Sequence, residues 1–313
     1  MIVVRTVASA RYFGCKAWVA AIAIAFHINA NRSSRKVSDM EFLGIDFSGN
    51  LRSWRVDCST SNVWVCRIKC GRDPRPQVIE LRPVQHLPGK GPPFRRLADI
   101  LAGRQFSAAA IDAPFSLPWR HVPKEGWLKL LELVDELPCS PAPFPSGPSL
   151  IALAQTVSDL QCQKPLRLTE QLWSDRRINV RSTLWWKPRG GAPFAAACIK
   201  LLATAGFPPC WPWSGQTEGL IVEAFPAAQL WSWKLPSQRY DGRGGIEVRQ
   251  EIIRGLEHRV NLGAFRKAAE ETADALDAVI ASFAAVAAYR GEAIQPTGNA
   301  VSVAREGWIS VHP

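Results

Sequence analysis

The stretch FLGIDF at residues 42–47 is a short apolar run with an acid, Asp46, near its end, and it leads into the turn-forming sequence SGN. A second run, SAAAID at residues 107–112, has the same form and ends at Asp112 shortly before two prolines. Both runs predict buried strands. Aspartate is depleted in strands and is costly to bury without a partner, so two strands that end in aspartate indicate a shared purpose.

Between and beyond these runs, the pattern predicts a sheet that is interrupted by a large insert. The predicted order is β-β-β-α-β, and three successive strands with short links favour an antiparallel meander. From 119 to 219 the pattern is mostly helical, and a fifth strand follows the insert. The further strands are expected at 63–70, 77–84 and 220–225, and the helices at 94–102, 128–137, 195–205, 246–256 and 268–289.

Composition and charge limit the classes of protein that this chain can represent. Of its 313 residues, 47% are hydrophobic and 21% are charged, which is typical of a folded globular protein and excludes a disordered one. Lys and Arg number 38 against 27 Asp and Glu, and this net charge of +11 favours anionic partners, nucleic acid first. The eight cysteines form no Cys-x-x-Cys pair, so we interpret them as reduced thiols rather than as a zinc site.

Residues 1–40 are predicted to be an N-terminal extension outside the fold. Their apolar run at 17–26 is shorter than the roughly 20 residues that span a bilayer. A targeting segment is one interpretation, and a native start at Met40 is the one that we favour. We therefore expect a domain over 41–312 with its insert at about 119–219, a cytoplasmic protein, and no membrane span.

A second pair of acids lies in the predicted last helix. Asp274 and Asp277 are three residues apart, so both lie on one helix face, which continues in small alanines. Clustered carboxylates repel one another, and a divalent cation relieves that repulsion. Oxygen ligands without His or Cys suit Mg²⁺ or Mn²⁺, and two such ions can support phosphodiester hydrolysis.

Each of these acids also has an ordinary structural interpretation. Asp46 could cap the following turn, and Asp112 could form an Asx-turn before a proline. Asp274 could be a favourable charge near a helix N-terminus, with Thr272 as the cap. Glu223, in the fifth strand, could form a strand-end salt bridge with an arginine.

Five sequence blocks in this order are similar to the domain of unknown function 429 family: LGIDFSG (43–49), AAIDAPFSLP (109–118), VEAFPA (222–227), DALDAVIA (274–281) and EGWI (306–309). The resemblance implies a ribonuclease H-like fold, with a mixed five-stranded sheet flanked by helices, and metal-dependent cleavage of nucleic acid. The family's short Arg-x-Thr-acid block resembles RLTE (167–170). In the resolvase branch of this fold, whose Asp-x-x-Asp spacing is the most similar, the fourth-strand acid is usually glutamate rather than aspartate.

The resemblance also implies roles for individual residues. It makes four residues metal ligands in a catalytic centre: Asp46, Asp112, Asp274 and Asp277. The resemblance also implies that Glu223 is a further catalytic acid, which either binds the metal directly or contacts the residues that bind it.

Basic and aromatic residues alternate in the insert. Residues 161–190 hold seven Lys or Arg and two acids, with three tryptophans among them. Positive charge interleaved with aromatic rings is typical of proteins that bind single strands, although a solvated basic face with inward tryptophans fits equally well. The predicted nucleic-acid contacts are Arg167, Arg176, Arg177, Arg181, Trp185 and Lys187.

The leading hypothesis is therefore a Mg²⁺- or Mn²⁺-dependent nuclease. Two alternatives stay open: an inactive nucleic-acid-binding or scaffold protein of the same fold, and a phosphotransferase of the actin-like superfamily. The choice between DNA and RNA, and the oligomeric state, do not follow from the sequence.

Overall fold

The computed structural model describes residues 40–71, 73–140 and 143–313. The predictions for residues 1–39 lie outside these described ranges. The strands are β1 (Glu41–Asp46), β2 (Trp64–Lys69), β3 (Gln77–Pro83), β4 (Ala108–Asp112) and β5 (Leu220–Glu223).

The strands form one mixed sheet in the order β3-β2-β1-β4-β5. The first three strands are an antiparallel meander, whereas β4 runs parallel to β1 and β5 runs parallel to β4. The predictions of a five-stranded sheet, of the meander and of the α/β class are confirmed. Parallel neighbours place the carboxyl ends of β1, β4 and β5 at the same edge of the sheet.

The described part of the chain has ten α-helices. They are α1 (Pro93–Gly103), α2 (Trp127–Asp135), α3 (Gly147–Val157), α4 (Leu168–Asp175), α5 (Ala192–Thr204), α6 (Pro226–Ser232), α7 (Ile246–Leu256), α8 (Arg266–Glu271), α9 (Ala273–Arg290) and α10 (Ala300–Glu306). Among the described residues, no helix combines the length and the hydropathy that crossing a bilayer requires.

Four of these helices, α2 to α5, lie between β4 and β5. The sequence pattern identified α2 and α5 but missed α3 and α4. The prediction of a single helix over 268–289 is wrong, because two helices, α8 and α9, occupy this segment. Thr272 takes an extended conformation, with φ −129° and ψ 120°, and separates α8 from α9. Its side chain makes no capping hydrogen bond, contrary to the alternative considered for this residue.

The side chains of the central strands alternate between two cores. Leu43 and Ile45 of β1 face a core that includes residues of α1, α2, α3 and α5. Phe42 faces the opposite core, which is built largely from α7 and α9. Gly44 also lies on this second side, and α9 approaches β1 so closely there that a Cβ on Gly44 would overlap the Ala278 carbonyl oxygen.

The seven described cysteines are all free thiols, as expected. Cys66 and Cys70 are buried, which agrees with their interpretation as sheet thiols. Burial raises the pKa of the Cys66 thiol, so it is a poor source of reactive thiolate.

The contact between β1 and α9 predicts that Gly44→Ala is strongly destabilising. A Cβ at this position would overlap backbone atoms of α9 and lie 2.9 Å from the Ser282 Cα, and backbone cannot move aside cheaply. We expect a loss of about 3 kcal/mol or more in the free energy of unfolding, measured by urea denaturation. The matched control is Gly103→Ala, since a Cβ there meets open space. Equal stability of the two variants would contradict the close packing.

Candidate metal centre

Two carboxylates meet at the carboxyl edge of the sheet because of strand register. Asp46 and Asp112 are direct partners across the parallel pair β1 and β4. By strand alternation, Asp46 lies on the same side as Gly44, and Asp112 lies on the same side as Ala110. Both aspartates therefore project toward the core that contains α9.

A third carboxylate comes from α9. The helix passes over Gly44 at Ala278, so Asp277, one residue earlier, lies above the end of β1. One carboxylate oxygen from each of Asp46, Asp112 and Asp277 lies within 4.8 Å of the others. Asp46 is only 7% exposed, and the other two are partly buried. These three residues are named the aspartate triad below.

The aspartate triad is electrostatically unfavourable when all three side chains are charged. Burial raises the pKa of Asp46 well above its ordinary value, and the charges of Asp277, Asp274 and Asp112 raise it further. Burial likewise raises the pKa of Asp277, with a contribution from Asp112. The pKa of Asp112 is raised to about 7, mainly by burial, against the opposing charge of Arg181.

Tyr240 and Arg249 support the aspartate triad from outside it. The Tyr240 hydroxyl donates a hydrogen bond of 2.9 Å to Asp277 Oδ1. The Arg249 guanidinium is buried. It donates hydrogen bonds to the backbone carbonyl of Tyr240 and to that of Glu270 in α8. Sequence reasoning missed both residues, because no local pattern relates them to an acid 37 or 28 positions away.

The aspartate triad has the donor set of a hard divalent cation. All three groups offer oxygen, and no described Lys, Arg or His lies within ion-pair distance of them. A cation would offset the negative charge of these buried carboxylates, whose pKa values burial raises above their ordinary range. The aspartate triad could therefore hold a metal ion.

Asp274 lies beside the aspartate triad rather than within it. It is in the first turn of α9, and its charge raises the pKa values of Asp46 and Asp277. The group of mutually close ligand atoms does not include it. Of the four predicted metal ligands, the structure thus brings three together, and the fourth is an electrostatic neighbour.

Glu223 occupies the opposite side of the sheet from the aspartate triad. Its strand neighbour Ile221 belongs to the core of α1 and α5, and alternate residues share a side. Both Glu223 carboxylate oxygens accept hydrogen bonds from the Arg167 guanidinium, one of them at 2.8 Å. The salt-bridge interpretation of Glu223 is therefore the one that the contacts support. Its charge still contributes to the raised pKa of Asp112.

Arg167 is the centre of a buried ionic network. It is 0% exposed, and its Nε donates to Glu170 Oε1 at 2.9 Å in addition to the bonds with Glu223. Glu306 lies close by. Its carboxylate accepts hydrogen bonds from the backbone N–H groups of Leu168 and Trp119 at 2.6 and 2.8 Å. The network joins the insert to β5 and α10, so the RLTE and EGWI blocks have a structural role here.

The prediction that Arg167 contacts nucleic acid is contradicted by this burial. A side chain with no solvent exposure and two carboxylate partners cannot reach a phosphate on the surface. Its position in the sequence, among exposed basic residues, gave no sign of this. The distinguishing signal was the capping arrangement with Glu170 three residues later.

The other predicted nucleic-acid contacts are at or near the surface. Arg177, Arg181 and Lys187 are exposed, whereas Arg176 and Trp185 are partly buried. Arg176 lies over the rings of Trp173 and Trp231, at 4.7 and 5.3 Å from the ring centroids. Trp173 is fully buried, so the alternative of inward-packed tryptophans holds for this ring.

The ionic network predicts that Arg167→Ala destabilises the protein. The substitution leaves Glu170 and Glu223 buried without a cation, at a cost of about 3–5 kcal/mol in the free energy of unfolding. The matched control is Arg189→Ala, an exposed arginine of the insert, for which we expect a change within about 0.5 kcal/mol. Urea denaturation measures both values. Wild-type stability of Arg167→Ala would contradict the assigned role.

The raised pKa of Asp112 predicts a pH dependence in metal-free protein. The native carboxyl group holds its proton up to about pH 7, whereas in the unfolded chain it loses it near 3.8. This stabilisation is complete below pH 3.8 and is lost as the pH rises to about 7.

Melting temperatures in EDTA across this range measure the effect. Asp112→Asn cannot ionise, so we expect the variant to become more stable relative to wild type as the pH rises. The exposed Asp99→Asn serves as a control and keeps the wild-type pH profile. A difference between Asp112→Asn and wild type that does not change with pH would contradict the prediction.

Comparison with known proteins identifies a family but no activity. Residues 93–301, more than half of the chain, match the family described as "Protein of unknown function (DUF429)". The match includes Asp112, Glu223, Asp274 and Asp277, and it begins after Asp46. No curated protein and no solved structure matches the chain. The extent of the family match shows that this chain belongs to the DUF429 family.

Proposed function

We propose that this protein is a metal-dependent nuclease that hydrolyses phosphodiester bonds of nucleic acid. The observation that carries the proposal is the convergence of Asp46, Asp112 and Asp277 on one point without a described cationic side chain in contact. Such an arrangement destabilises a protein unless something positive binds there. Its position at the edge of an otherwise apolar core, together with the raised pKa values of its carboxyl groups, supports a catalytic rather than a structural role.

The topology supports a ribonuclease H-like assignment of the fold. The sheet combines an antiparallel meander of three strands with two further strands parallel to β1, as expected for the mixed five-stranded sheet that the resemblance implies. The acids also occupy the expected elements, namely the ends of the first and fourth strands and the last long helix.

Mg²⁺, or Mn²⁺ in its place, is the cation that we propose for this site. Carboxylates alone suit hard cations that keep several waters. Asp46, Asp112 and Asp277 would hold the metal, and Asp274 would add negative charge beside them. When bound, two such ions would supply activation of a water and stabilisation of the leaving oxygen of a phosphodiester.

The protein's own groups have separable tasks under this proposal. Tyr240 orients the Asp277 carboxylate through its hydrogen bond, and Arg249 fixes the backbone that carries Tyr240. Arg181, whose charge acts on Asp112, supplies an attraction for the phosphate of the substrate. Glu223 acts from the opposite side of the sheet and is not required to touch the substrate.

The test is cleavage of labelled DNA and RNA by wild type and variants in millimolar Mg²⁺ or Mn²⁺. We expect Asp46→Asn and Asp277→Asn to lower the rate by at least about a thousandfold while the melting temperature is kept or raised. Asp99→Asn, an exposed aspartate paired with Arg95 in α1, is the control and retains activity. Full activity in both triad variants would refute the proposal.

A further inference from the structure

A basic, aromatic loop precedes α5. Residues 181–191, named the basic loop below, carry Arg181, Lys187 and Arg189 and no acid. All three cations are exposed, and Trp186 is 52% exposed. A large indole surface in water is unfavourable, so a ligand that covers Trp186 would gain free energy from its burial.

The backbone of the basic loop is fixed by its own hydrogen bonds. The N–H groups of Trp185 and Gly191 donate to the Ser182 carbonyl at 3.2 and 2.9 Å, and the Ala192 N–H donates to the Trp185 carbonyl at 3.2 Å. Leu184 packs into the core below with 1% exposure. The ordered backbone therefore presents Trp186 to solvent.

The two neighbouring tryptophans of the basic loop have different surroundings. The Trp185 ring has Lys164 Nζ at 4.7 Å and Lys187 Nζ at 5.5 Å from its centroid. Among the described residues, Trp186 has neither an aromatic partner nor a cation over its ring. Its indole is thus open to stacking, with positive charge beside it.

The basic loop borders the edge of the sheet that carries the aspartate triad. A Cβ on Gly49, three residues after Asp46, would lie 2.6 Å from the Phe194 amide nitrogen at the start of α5. The Arg181 guanidinium carbon lies 5.0 Å from the centroid of the Phe194 ring. Arg181 is also near enough to lower the pKa of Asp112. Loop and carboxylates are therefore neighbours.

We infer that the basic loop binds single-stranded nucleic acid, with an unpaired base stacked on Trp186 and the flanking phosphates held by Arg181 and Lys187. This inference deepens the proposed function and rests on it for the choice of a nucleic acid as ligand. Bases in a duplex are stacked on one another, so only an unpaired base offers its face to an indole. Three cations with no acid complement a phosphate backbone.

Fluorescence anisotropy in EDTA tests the inference apart from cleavage. The probes are labelled oligothymidylate and oligouridylate of about 20 nucleotides and a hairpin duplex of similar length. We expect the full-length protein to prefer the single strands. Trp186→Ala should weaken that binding at least about tenfold. Lys187→Ala should reduce the slope of log affinity against log salt by about 0.7.

Matched controls separate the basic loop from general effects of charge and aromatic surface. Trp231→Ala removes another exposed tryptophan, 43% exposed in α6, and Lys90→Ala removes an exposed lysine outside the loop. We expect both to bind within about twofold of wild type. Melting temperatures establish that every variant is folded.

The outcomes distinguish the inference from the proposed function. Preference for the duplex, no binding by wild type, or unchanged binding by Trp186→Ala and Lys187→Ala would overturn the inference. Loop-dependent binding without cleavage in Mg²⁺ or Mn²⁺ would uphold the surface and count against the nuclease. Cleavage that depends on Asp46 but not on Trp186 would support the nuclease and count against the basic loop as the binding surface.

Discussion

The direct contact between β1 and α9 is the constraint on which the site depends. Gly44 has no side chain, and α9 is rich in alanine, so the helix rests on the strand with backbone against backbone. That contact sets the distance of α9 from the sheet and the face that α9 turns toward β1. It brings Asp277 over the end of β1, where strand register has already placed Asp46 beside Asp112. A bulkier residue at position 44 would separate the helix from the strand acids.

The two sides of the sheet use charge in opposite ways. On the side of the core that includes α1 and α5, the charge of Glu223 is neutralised by Arg167. This ion pair joins the insert to β5. On the α9 side the acids lack such a partner, and burial raises the pKa of each. In the first arrangement the buried acid has a partner of opposite charge, whereas the second lowers stability until a cation binds. This contrast is the physical basis for separating a structural acid from a functional one.

Local patterns predicted the sheet well, because period-two alternation and turn residues identify strands without knowledge of their partners. They also identified Asp46 and Asp112, since an acid at the end of an apolar run is visible in the sequence, and Asp277, since two acids three residues apart share one helix face. Strand alternation could have excluded Glu223, which shares a side with Ile221 and not with the aspartates. Tyr240, Arg249 and the pairing of Arg167 with Glu223 depend on contacts between distant segments, and no local pattern reveals them. The break at Thr272 was missed because the residues on either side of it, Glu271 and Ala273, favour helix.

The central claim is that the aspartate triad holds a divalent cation, and calorimetric titration of Mn²⁺ into the full-length protein tests it most directly. The account predicts saturable binding to wild type that releases protons at pH 7, because the Asp112 carboxyl group has a pKa of about 7 without metal. It also predicts that binding is lost in Asp112→Asn. Equal binding by wild type and variant, or no binding by wild type, would contradict the account.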